Sequence, residues 1–306
     1  ADFAATGKAG IVGTFSDHAT VWGSKEQVYV APTAEVHPFV CIDTTHGPVT
    51  IDDGAVVHPQ TRIEGPAYIG RGSMIVGGKI REGCSIGPVC RVGGEVEESI
   101  IHGYSNKYHD GFLGHAYVCE WVNLGALTTN SDLKNDYSAV QVYLKGELVD
   151  TGDTKVGSFI GDHTKTSIGT ILDTGTVVGV MCNIMASGGV TPKFIPSFTM
   201  FLDNKTFNIP FKKTIETART AMSRRKRQLT DAEAALLEAA MKLTKPERDE
   251  LVRRSRKVLA RERDPERDLM LAILTEDGTH IGNCGLHRIN RPSRKAELGI
   301  MIGDKR

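Results

Sequence analysis

The chain has 306 residues, with 37 basic and 37 acidic side chains, 33 glycines and only 6% aromatic residues. The balanced charge excludes a strong global field that would steer the protein towards nucleic acid or a membrane surface. Many glycines with few aromatics predict tight turns around a thin aliphatic core, in one large or two modest domains.

Six cysteines without CxxC spacing predict reduced, structural thiols in a cytoplasmic protein. Neither a signal peptide nor an apolar run of transmembrane length is visible in the sequence. The chain begins with Ala1 and ends abruptly after the letters GDKR, so we expect it to be part of a longer polypeptide.

After a lead-in over residues 1–27, aliphatic residues recur with a period of six, often followed by Gly or Asp. This period fits neither the 3.6 of a helix nor the 2 of a simple strand. It is typical of a hexapeptide repeat, in which each repeat forms one short strand and one turn. The repeating residues are Val30, Val36 and Ile42; Ile51, Val57, Ile63, Ile69 and Ile75; Ile80, Ile86 and Val92; and Val178, Ile184 and Val190.

The predicted fold is therefore mainly β: a left-handed parallel β-helix over residues 28–198, followed by α-helices and a short β-meander. Left-handed crossovers break the usual rule for parallel strands, and the succession of sixes justifies the exception. A β-sandwich with regularly spaced strands is the alternative.

The repeat is interrupted in two places. Residues 44–48 (TTHGP) lie in a three-residue excess and predict a loop at a corner of the coil. Residues 95–168 lose the clean repeat, and the turn-rich polar stretch 130–157 within them predicts extended excursions from the coil. Loops that leave a rigid scaffold commonly carry binding and catalytic groups, so we look for the site there.

Residues 199–263 predict a helical extension with capping-box spacing at Thr230/Glu233 and at Thr244/Glu247. One apolar helix face is expected from Leu236, Leu237, Ala240, Met241 and Leu243. We interpret the basic run RRKR (224–227) as a solvated helix face, because no aromatic residues are interleaved with it. Nucleic-acid or anionic-substrate binding is the alternative for that run.

Residues 264–306 alternate apolar side chains around Asp277-Gly278, a strong hairpin signal, and end in a third strand, AELGIMIGD. The pattern resembles the central strands of the GCN5-related N-acetyltransferases. In that family the next element carries the Gly-rich loop that holds the pyrophosphate of coenzyme A. These 43 residues lack such a loop, so we expect no catalysis from them.

The segment 104–138 concentrates groups that can perform chemistry. His109 is a candidate general base, since imidazole titrates near neutral pH. Asn123 and Asn130 can orient a sugar hydroxyl or an amide, and Lys107 and Lys134 can meet a phosphate as point charges. In the NLGA turn, the small residues Gly125 and Ala126 would let a backbone N–H approach an oxyanion closely.

A second hypothesis uses His102, His109 and His115 as zinc ligands, as in hexapeptide-repeat proteins similar to the γ-class carbonic anhydrases. That family separates its close His pair by four residues, whereas five separate His109 from His115. This spacing predicts that one ligand lies on another side of the coil.

Residues 28–198 resemble the C-terminal β-helix of sugar-1-phosphate nucleotidyltransferases. They are similar to the bifunctional glucosamine-1-phosphate acetyltransferase/N-acetylglucosamine-1-phosphate uridyltransferases. One subgroup of sugar nucleotidyltransferases has a sequence pattern that this chain follows almost without a break. The matching stretch is VGGEVEESIIHGYSNKYHDGFLGHAYVCEWVNLGALTTNSDLKNDYS. Enzymes of this kind carry their nucleotidyltransferase domain N-terminal to the β-helix, and nothing like its GxGxR loop precedes Val28.

The resemblance implies site residues. The family's catalytic His falls on His109, its substrate-contacting Tyr on Phe112 without the hydroxyl, and the Ala whose N–H faces the thioester oxygen on Ala126. The family's first Asn falls on Asn123. Its second Asn maps to Asn130, and the lysine after it to Lys134. A phosphate-binding lysine falls near Glu97, where the charge is reversed.

The resemblance also implies activities and partners. The leading hypothesis is an acetyl-coenzyme A dependent acyltransferase that acts on an amino sugar phosphate or a nucleotide sugar, within a homotrimer. A non-catalytic module that trimerises an attached nucleotidyltransferase is the alternative, with the zinc hydratase third. Mg²⁺ is expected only if a nucleotidyltransferase domain is attached, and neither nucleic acid nor membrane is an expected partner.

Overall fold

The structure is a computed structural model that describes residues 10–185, 188–262, 269–274, 280–290 and 295–302, with side chains up to residue 256. The chain divides into two compact units, 1–249 and 250–306, which we describe separately.

The described residues of the first unit contain 28 short strands and a single 3-10 turn at Lys25–Gln27. In chain order the strands are β1 (Gly10–Ile11), β2 (Thr14–Phe15), β3 (Thr20–Trp22), β4 (Val28–Val30), β5 (Glu35–Val36), β6 (Cys41–Asp43), β7 (Val49–Ile51), β8 (Val56–Val57), β9 (Arg62–Glu64), β10 (Ala67–Ile69), β11 (Met74–Ile80), β12 (Cys84–Ile86), β13 (Arg91–Glu97), β14 (Ile100–Ile101), β15 (Asn106–Lys107), β16 (Phe112–Gly114), β17 (Tyr117–Val118), β18 (Thr129–Asn130), β19 (Gln141–Leu144), β20 (Glu147–Asp150), β21 (Phe159–Ile160), β22 (Lys165–Thr166), β23 (Ile171–Leu172), β24 (Val177–Val178), β25 (Asn183–Met185), β26 (Phe194–Ile195), β27 (Thr199–Leu202) and β28 (Lys205–Asn208).

These strands form a parallel β-helix with three faces. Face A is the ten-stranded sheet β1-β4-β7-β10-β12-β14-β17-β21-β24-β26. Face B stacks β2, β5, β8, the starts of β11 and β13, β15, β22, β25 and β27. Face C stacks β3, β6, β9, the ends of β11 and β13, β16, and then β18 and β23. The predicted hexapeptide-repeat β-helix is confirmed.

The period of six produces the core because each repeat points one aliphatic side chain inward. On face C, Ile42 pairs with Ile63, and Ile63 with Ile80. All three are fully buried, as are Ile69 and Ile86 on face A. Stacking of these side chains in successive coils removes their apolar surface from water. This stabilises the fold by roughly 25 cal/mol per Å² of apolar surface buried.

The first coil begins earlier than the sequence indicated. Strands β1 to β3 lie within the expected lead-in and pair with β4 to β6. The inward residues of this coil are Ile11, Phe15 and Val21. The first two are only four residues apart and one is aromatic, so no period of six is visible there.

The main excursion coincides with the polar stretch 130–157 that the sequence indicated, and the coil continues through the first part of 95–168. Strands β13 to β18 keep the coil intact, and the chain leaves it only after Asn130 and rejoins face A at β21. Between them lies the antiparallel hairpin β19–β20, with Leu133 and Lys155 bridged at its base. The coil continues here, but polar residues occupy some of its inward positions. The aliphatic period of six is therefore not visible in the sequence.

Three helices follow: α1 (Phe211–Ser223), α2 (Asp231–Leu243) and α3 (Lys245–Glu262). The predicted capping box at Thr230 and Glu233 is present in both directions. At the second expected box, however, the Thr244 hydroxyl donates to the Ala240 carbonyl at 2.8 Å. Thr244 therefore closes the end of α2.

Helices α1 and α2 pack on the corner between faces A and B. Met181 and Phe198 from that corner form a second core with Ile215, Ala218 and Leu237. Of the predicted α2 face, Leu237 is buried and Ala240 and Met241 are partly buried, whereas Leu236 and Leu243 are exposed. The expected face was thus too wide.

In the second unit, β29 (Leu269–Leu274), β30 (His280–Asn290) and β31 (Lys295–Ile302) form an antiparallel sheet, the predicted β-meander. The hairpin turn predicted at Asp277-Gly278 lies outside the described residues. Within the described part of the chain, none of the helices has the length and apolar character needed to cross a membrane.

An aromatic stack on the A–B corner yields a pH prediction. The Trp121 ring lies parallel to the His163 ring, with centroids 6.0 Å apart. Burial, reinforced by the charge of Lys165, lowers the pKa of His163 from 6.5 to about 4. The folded protein therefore keeps this imidazole neutral at pH values where the unfolded chain protonates it.

We expect the free energy of unfolding to fall as the pH drops from 6.5 towards 4, with His163 contributing on the order of 3 kcal/mol of that loss. His163→Asn should flatten the slope in this window, measured by urea denaturation at several pH values. His46→Asn, at an exposed loop position, is the control. Equal slopes in the wild type and His163→Asn would contradict the prediction.

Candidate functional site

His109 and Ala126 occupy the same corner, between faces B and C, on neighbouring coils. The Leu127 N–H donates to the Asp110 carbonyl at 2.9 Å, which places residues 17 apart in sequence one above the other. Neighbouring strands lie about 4.8 Å apart, so His109 and Ala126 are adjacent along the helix axis. The His109 ring is exposed and contacts the edge of the Tyr108 ring, with centroids 5.2 Å apart.

Lys107 lies beneath this corner and not on the surface. It pairs with the core residue Val92, is only 3% exposed, and its Nζ donates to the His109 carbonyl at 2.8 Å. Burial lowers the pKa of Lys107 to about 8. The ammonium therefore holds the backbone that carries His109 and is withdrawn from any phosphate outside.

A cavity of about 310 Å³ adjoins the corner. Position 94 in its lining requires glycine, because a Cβ there would lie 2.7 Å from Lys107 Nζ and 3.0 Å from Asp110 Cα. The half-buried Phe112 supplies an apolar wall. The lining residues are Gly77, Lys79, Gly94, Glu95, Asp110, Gly111 and Phe112.

Asn123 projects outward from face B, where its Oδ1 accepts a hydrogen bond from Asn106 Nδ2 at 2.8 Å. On the same NLGA turn, the Gly125 N–H donates to the Thr166 hydroxyl at 2.9 Å, so that N–H is already used. Of the two N–H groups that the sequence suggested for an oxyanion, Ala126 is the better candidate.

Asn130 has an internal position. It is buried, and its amide accepts from the Gly114 N–H and donates to the Gly114 carbonyl, both at 2.9 Å. The chain leaves the coil directly after Asn130, so this side chain supplies hydrogen bonds that a continuing strand would have made. We assign it a structural role at this exit.

Lys134 lies in the excursion and is held there by local contacts. Its Nζ bonds the Ser138 hydroxyl and donates to the Ala139 carbonyl at 3.3 Å. Asp136 is 3.7 Å from the same ammonium. These bonds order the turn from which the hairpin β19–β20 departs.

Sequence reasoning missed a cluster of one histidine and two carboxylates on the C–A corner. His115 Nδ1 lies 2.8 Å from Asp132 Oδ2, and His115 Nε2 lies 3.0 Å from Glu98 Oε2. Both His115 and Asp132 are 14% exposed. Residues 98, 115 and 132 follow one another at intervals of 17, the length of one coil. A search of the sequence for polar residues at this interval would have found the cluster.

Glu97, where the charge is reversed relative to the family lysine, is also paired. Its Oε2 accepts from Arg81 at 2.8 Å, and Lys155 of the excursion lies 3.7 Å from its Oε1. The carboxylate is therefore neutralised inside the fold. The nearby Phe112 ring and Asp132 carboxylate both face Gly114, where any Cβ would collide with them.

The three histidines of the zinc hypothesis lie on three different corners. His102 follows a face A strand and bonds the Tyr117 hydroxyl at 2.7 Å, His109 lies on the B–C corner, and His115 on the C–A corner. Among the described residues, no cluster of three His, Cys, Asp or Glu side chains is suited to hold a metal ion. The geometry gives this hypothesis no support.

No family model matches the chain. Over 90 residues it is 36% identical to the bifunctional sugar-1-phosphate nucleotidylyltransferase/acetyltransferase of Sulfurisphaera tokodaii, covering 29% of this chain and 22% of the relative. Over 99 residues it is 37% identical to the bifunctional protein GlmU of an Acidovorax species, covering 30% and 21%. A 26% match to GlmU of Nitratidesulfovibrio vulgaris spans 215 residues, 61% of this chain and 42% of the relative.

The resemblance to bifunctional sugar-1-phosphate enzymes is thus confirmed, although the chain spans only about a fifth of the first two relatives. Similar solved structures include PerB of Caulobacter crescentus with CoA and GDP-perosamine (15% identity, TM-score 0.20, 59% of this chain and 57% of that one). Another is a UDP-N-acetylglucosamine acyltransferase (11% identity, TM-score 0.30, 68% and 75%).

The role of Asn130 can be tested by truncation. Asn130→Ala would leave the buried N–H and carbonyl of Gly114 without these partners, at a cost of about 1–3 kcal/mol for each group. We expect a lower midpoint in urea unfolding. Asn135→Ala, an exposed asparagine of the same excursion, should stay within about 0.5 kcal/mol of the wild type. A wild-type midpoint for Asn130→Ala would refute the structural role.

Proposed function

We propose that this protein transfers an acetyl group from acetyl-coenzyme A to the amine of an amino sugar phosphate or a nucleotide sugar. The observation that carries the proposal is the stacking of His109 and Ala126 on one open corner. On that corner the His109 imidazole, as proton acceptor, and the Ala126 N–H, as oxyanion donor, lie on adjacent coils beside a cavity. The similarity to named sugar-phosphate acetyltransferases supports the same chemistry.

In this mechanism the substrate amine attacks the thioester carbonyl while the His109 imidazole accepts the amine proton. A positioned base of this kind contributes typically about a hundred- to ten-thousand-fold in rate. The tetrahedral oxyanion accepts a hydrogen bond from the Ala126 N–H. When the intermediate collapses, the C–S bond breaks and His109 returns the proton to the departing thiolate.

Asn123 and Phe112 would orient the sugar. The exposed amide of Asn123 can bond a hydroxyl, and the Phe112 ring packs against an apolar sugar face without donating a hydrogen bond. Asn130, Lys107 and Lys134 serve this site through the backbone, since their polar ends are bound to Gly114, His109 and the excursion.

A non-catalytic trimerising module is the second candidate, and one observation favours it. Among the described residues, no carboxylate orients the exposed His109 ring, in contrast to the His115–Asp132 pair.

We also propose a cytoplasmic location. It is supported by Cys41, Cys84, Cys90, Cys119 and Cys182, which are all free thiols in the structure.

The acyltransferase proposal is tested with acetyl-coenzyme A and a panel of amino sugar phosphates and nucleotide amino sugars, following thiol release. His109→Ala should lower kcat at least a hundredfold, because the attacking amine loses its proton acceptor. The Kd for acetyl-coenzyme A should change only a few-fold. His46→Ala, at an exposed loop position on another part of the coil, is the matched control.

His115→Ala provides the sharper comparison. If it abolishes turnover while His109→Ala does not, the base is His115 and the assignment to His109 is wrong. If the wild type acetylates none of the amines, the trimerising module replaces the enzyme.

We further propose that the β-helix forms a homotrimer through face A. An apolar row runs along its outer surface, since Ile100 pairs with Tyr117, and Tyr117 with Phe159. These side chains and Tyr68 are 37–43% exposed. A contiguous apolar strip on a flat sheet marks a protein contact more often than a solvated surface.

A charge placed in this row should dissociate the assembly. Ile100→Glu combined with Phe159→Glu would bury carboxylates at the contact, so we expect the mass from light scattering at micromolar concentration to fall from trimer to monomer. Thr20→Glu, an exposed position on face C, should remain trimeric. A monomeric wild type would exclude the trimer.

A further inference from the structure

A row of polar side chains follows the outer surface of face B. Arg91 pairs with Asn106, Asn106 with Asn123, and Asn123 with Lys165. Consecutive coils are about 4.8 Å apart, so the row extends for roughly 14 Å along the axis. It offers two amides between two cations and no carboxylate.

Helix α1 supplies the opposite wall. The chain following its last turn carries Arg224 and Arg225, which face the row across a cavity of about 480 Å³. Tyr104 and Trp121 line the same cavity with their stacked rings, whose centroids are 4.3 Å apart. A second cavity of about 390 Å³ continues the space and shares Lys165 and Arg224 with the first.

Lys165 Nζ donates to the His163 carbonyl at 2.9 Å, whereas among the described residues the three arginines of this groove have no counter-ion. Within the part of the chain that the structure describes, Arg91, Lys165, Arg224 and Arg225 form no ion pair with a carboxylate. Burial, and then the charges of Arg91 and Arg224, lower the pKa of Arg225. Glu216, in the second cavity, is the single acid among the lining residues of both.

A helix C-terminus attracts basic residues by itself, which would account for Arg224 and Arg225 without any ligand. It does not account for Arg91 and Lys165, which project from face B, on the far wall of the same cavity. Convergence of cations from two separate elements onto one concave space indicates a bound anion, because like charges held together without one repel. Of the basic run 224–227, Arg224 and Arg225 line this cavity.

We propose that the groove between face B and α1 binds the diphosphate of a nucleotide-linked substrate. Guanidinium forks pair with phosphate oxygens in bidentate fashion, and the two asparagine amides can donate along the row. Acetyl-coenzyme A and a nucleotide sugar share this diphosphate chemistry. The choice of these ligands rests on the proposed acyl transfer, whereas the anion site itself does not.

The test is calorimetric binding to the full chain of inorganic pyrophosphate, coenzyme A and a nucleotide sugar such as UDP-N-acetylglucosamine. We expect at least one nucleotide ligand to bind, with an affinity that falls as salt is raised. Arg224→Gln combined with Arg225→Gln should raise its Kd at least tenfold, and Arg91→Gln should do the same. Arg219→Gln, an exposed cation on the same helix, should leave the Kd unchanged.

The ligand arms identify the source of the diphosphate. Tight coenzyme A binding with weak nucleotide-sugar binding assigns the groove to the acyl donor, and the reverse assigns it to the acceptor. Pyrophosphate should compete in either case. Circular dichroism and thermal unfolding verify that the glutamine variants are folded.

Two results would overturn the inference: no binding of any of the three ligands at millimolar concentration, or an unchanged Kd in the folded double variant. Tighter binding of a single-stranded oligonucleotide than of either nucleotide ligand would also replace it. If the wild type shows no turnover but a nucleotide ligand still binds to His109→Ala, the proposed acyl transfer is wrong. The proposed anion site is then still supported.

Discussion

Parallel pairing between successive coils is the constraint on which everything else in the first unit depends. Most strands are only two to four residues long and have little stability alone, but their backbone groups bond the coils on either side. The register then fixes which side chains become neighbours. Around the site the coil length is 17 residues, as the Asn106–Asn123 and His115–Asp132 contacts both show.

Function is distributed by the same register. Residues 109 and 126 share the B–C corner, residues 98, 115 and 132 share the C–A corner, and residues 91, 106 and 123 share the outer row of face B. The proposed acetyl chemistry therefore lies on an edge of the prism, and the proposed anion groove lies on the adjoining face. Because the corner backbone is set by both coil neighbours, His109 can be positioned through its backbone even where its ring is exposed.

The period of six was enough to predict the β-helix, since inward aliphatic side chains such as Ile63 and Ile86 are what the coil needs. Positions where a polar residue faces inward broke that signal. Lys107 occupies the inward place between Val92 and Leu124, and Asn130 bonds Gly114 at the coil exit. From the sequence, both residues were expected to bind substrate. A polar residue in a stretch without a visible period is expected on the surface, and only the strand register shows that it faces inward.

The basic run after α1 illustrates the complementary limit. Charge patterning along one helix cannot reveal what lies opposite it, and Arg91 precedes Arg224 by more than a hundred residues in sequence. Only packing of α1 on the A–B corner brings the two walls together, through Ile215 and Ala218 against Met181 and Phe198. That packing is apolar and independent of the charges. The helix is therefore held in place by apolar contacts, and the arginines of the groove beside it, which form no ion pair in the described part of the chain, are available to pair with an anion when one arrives.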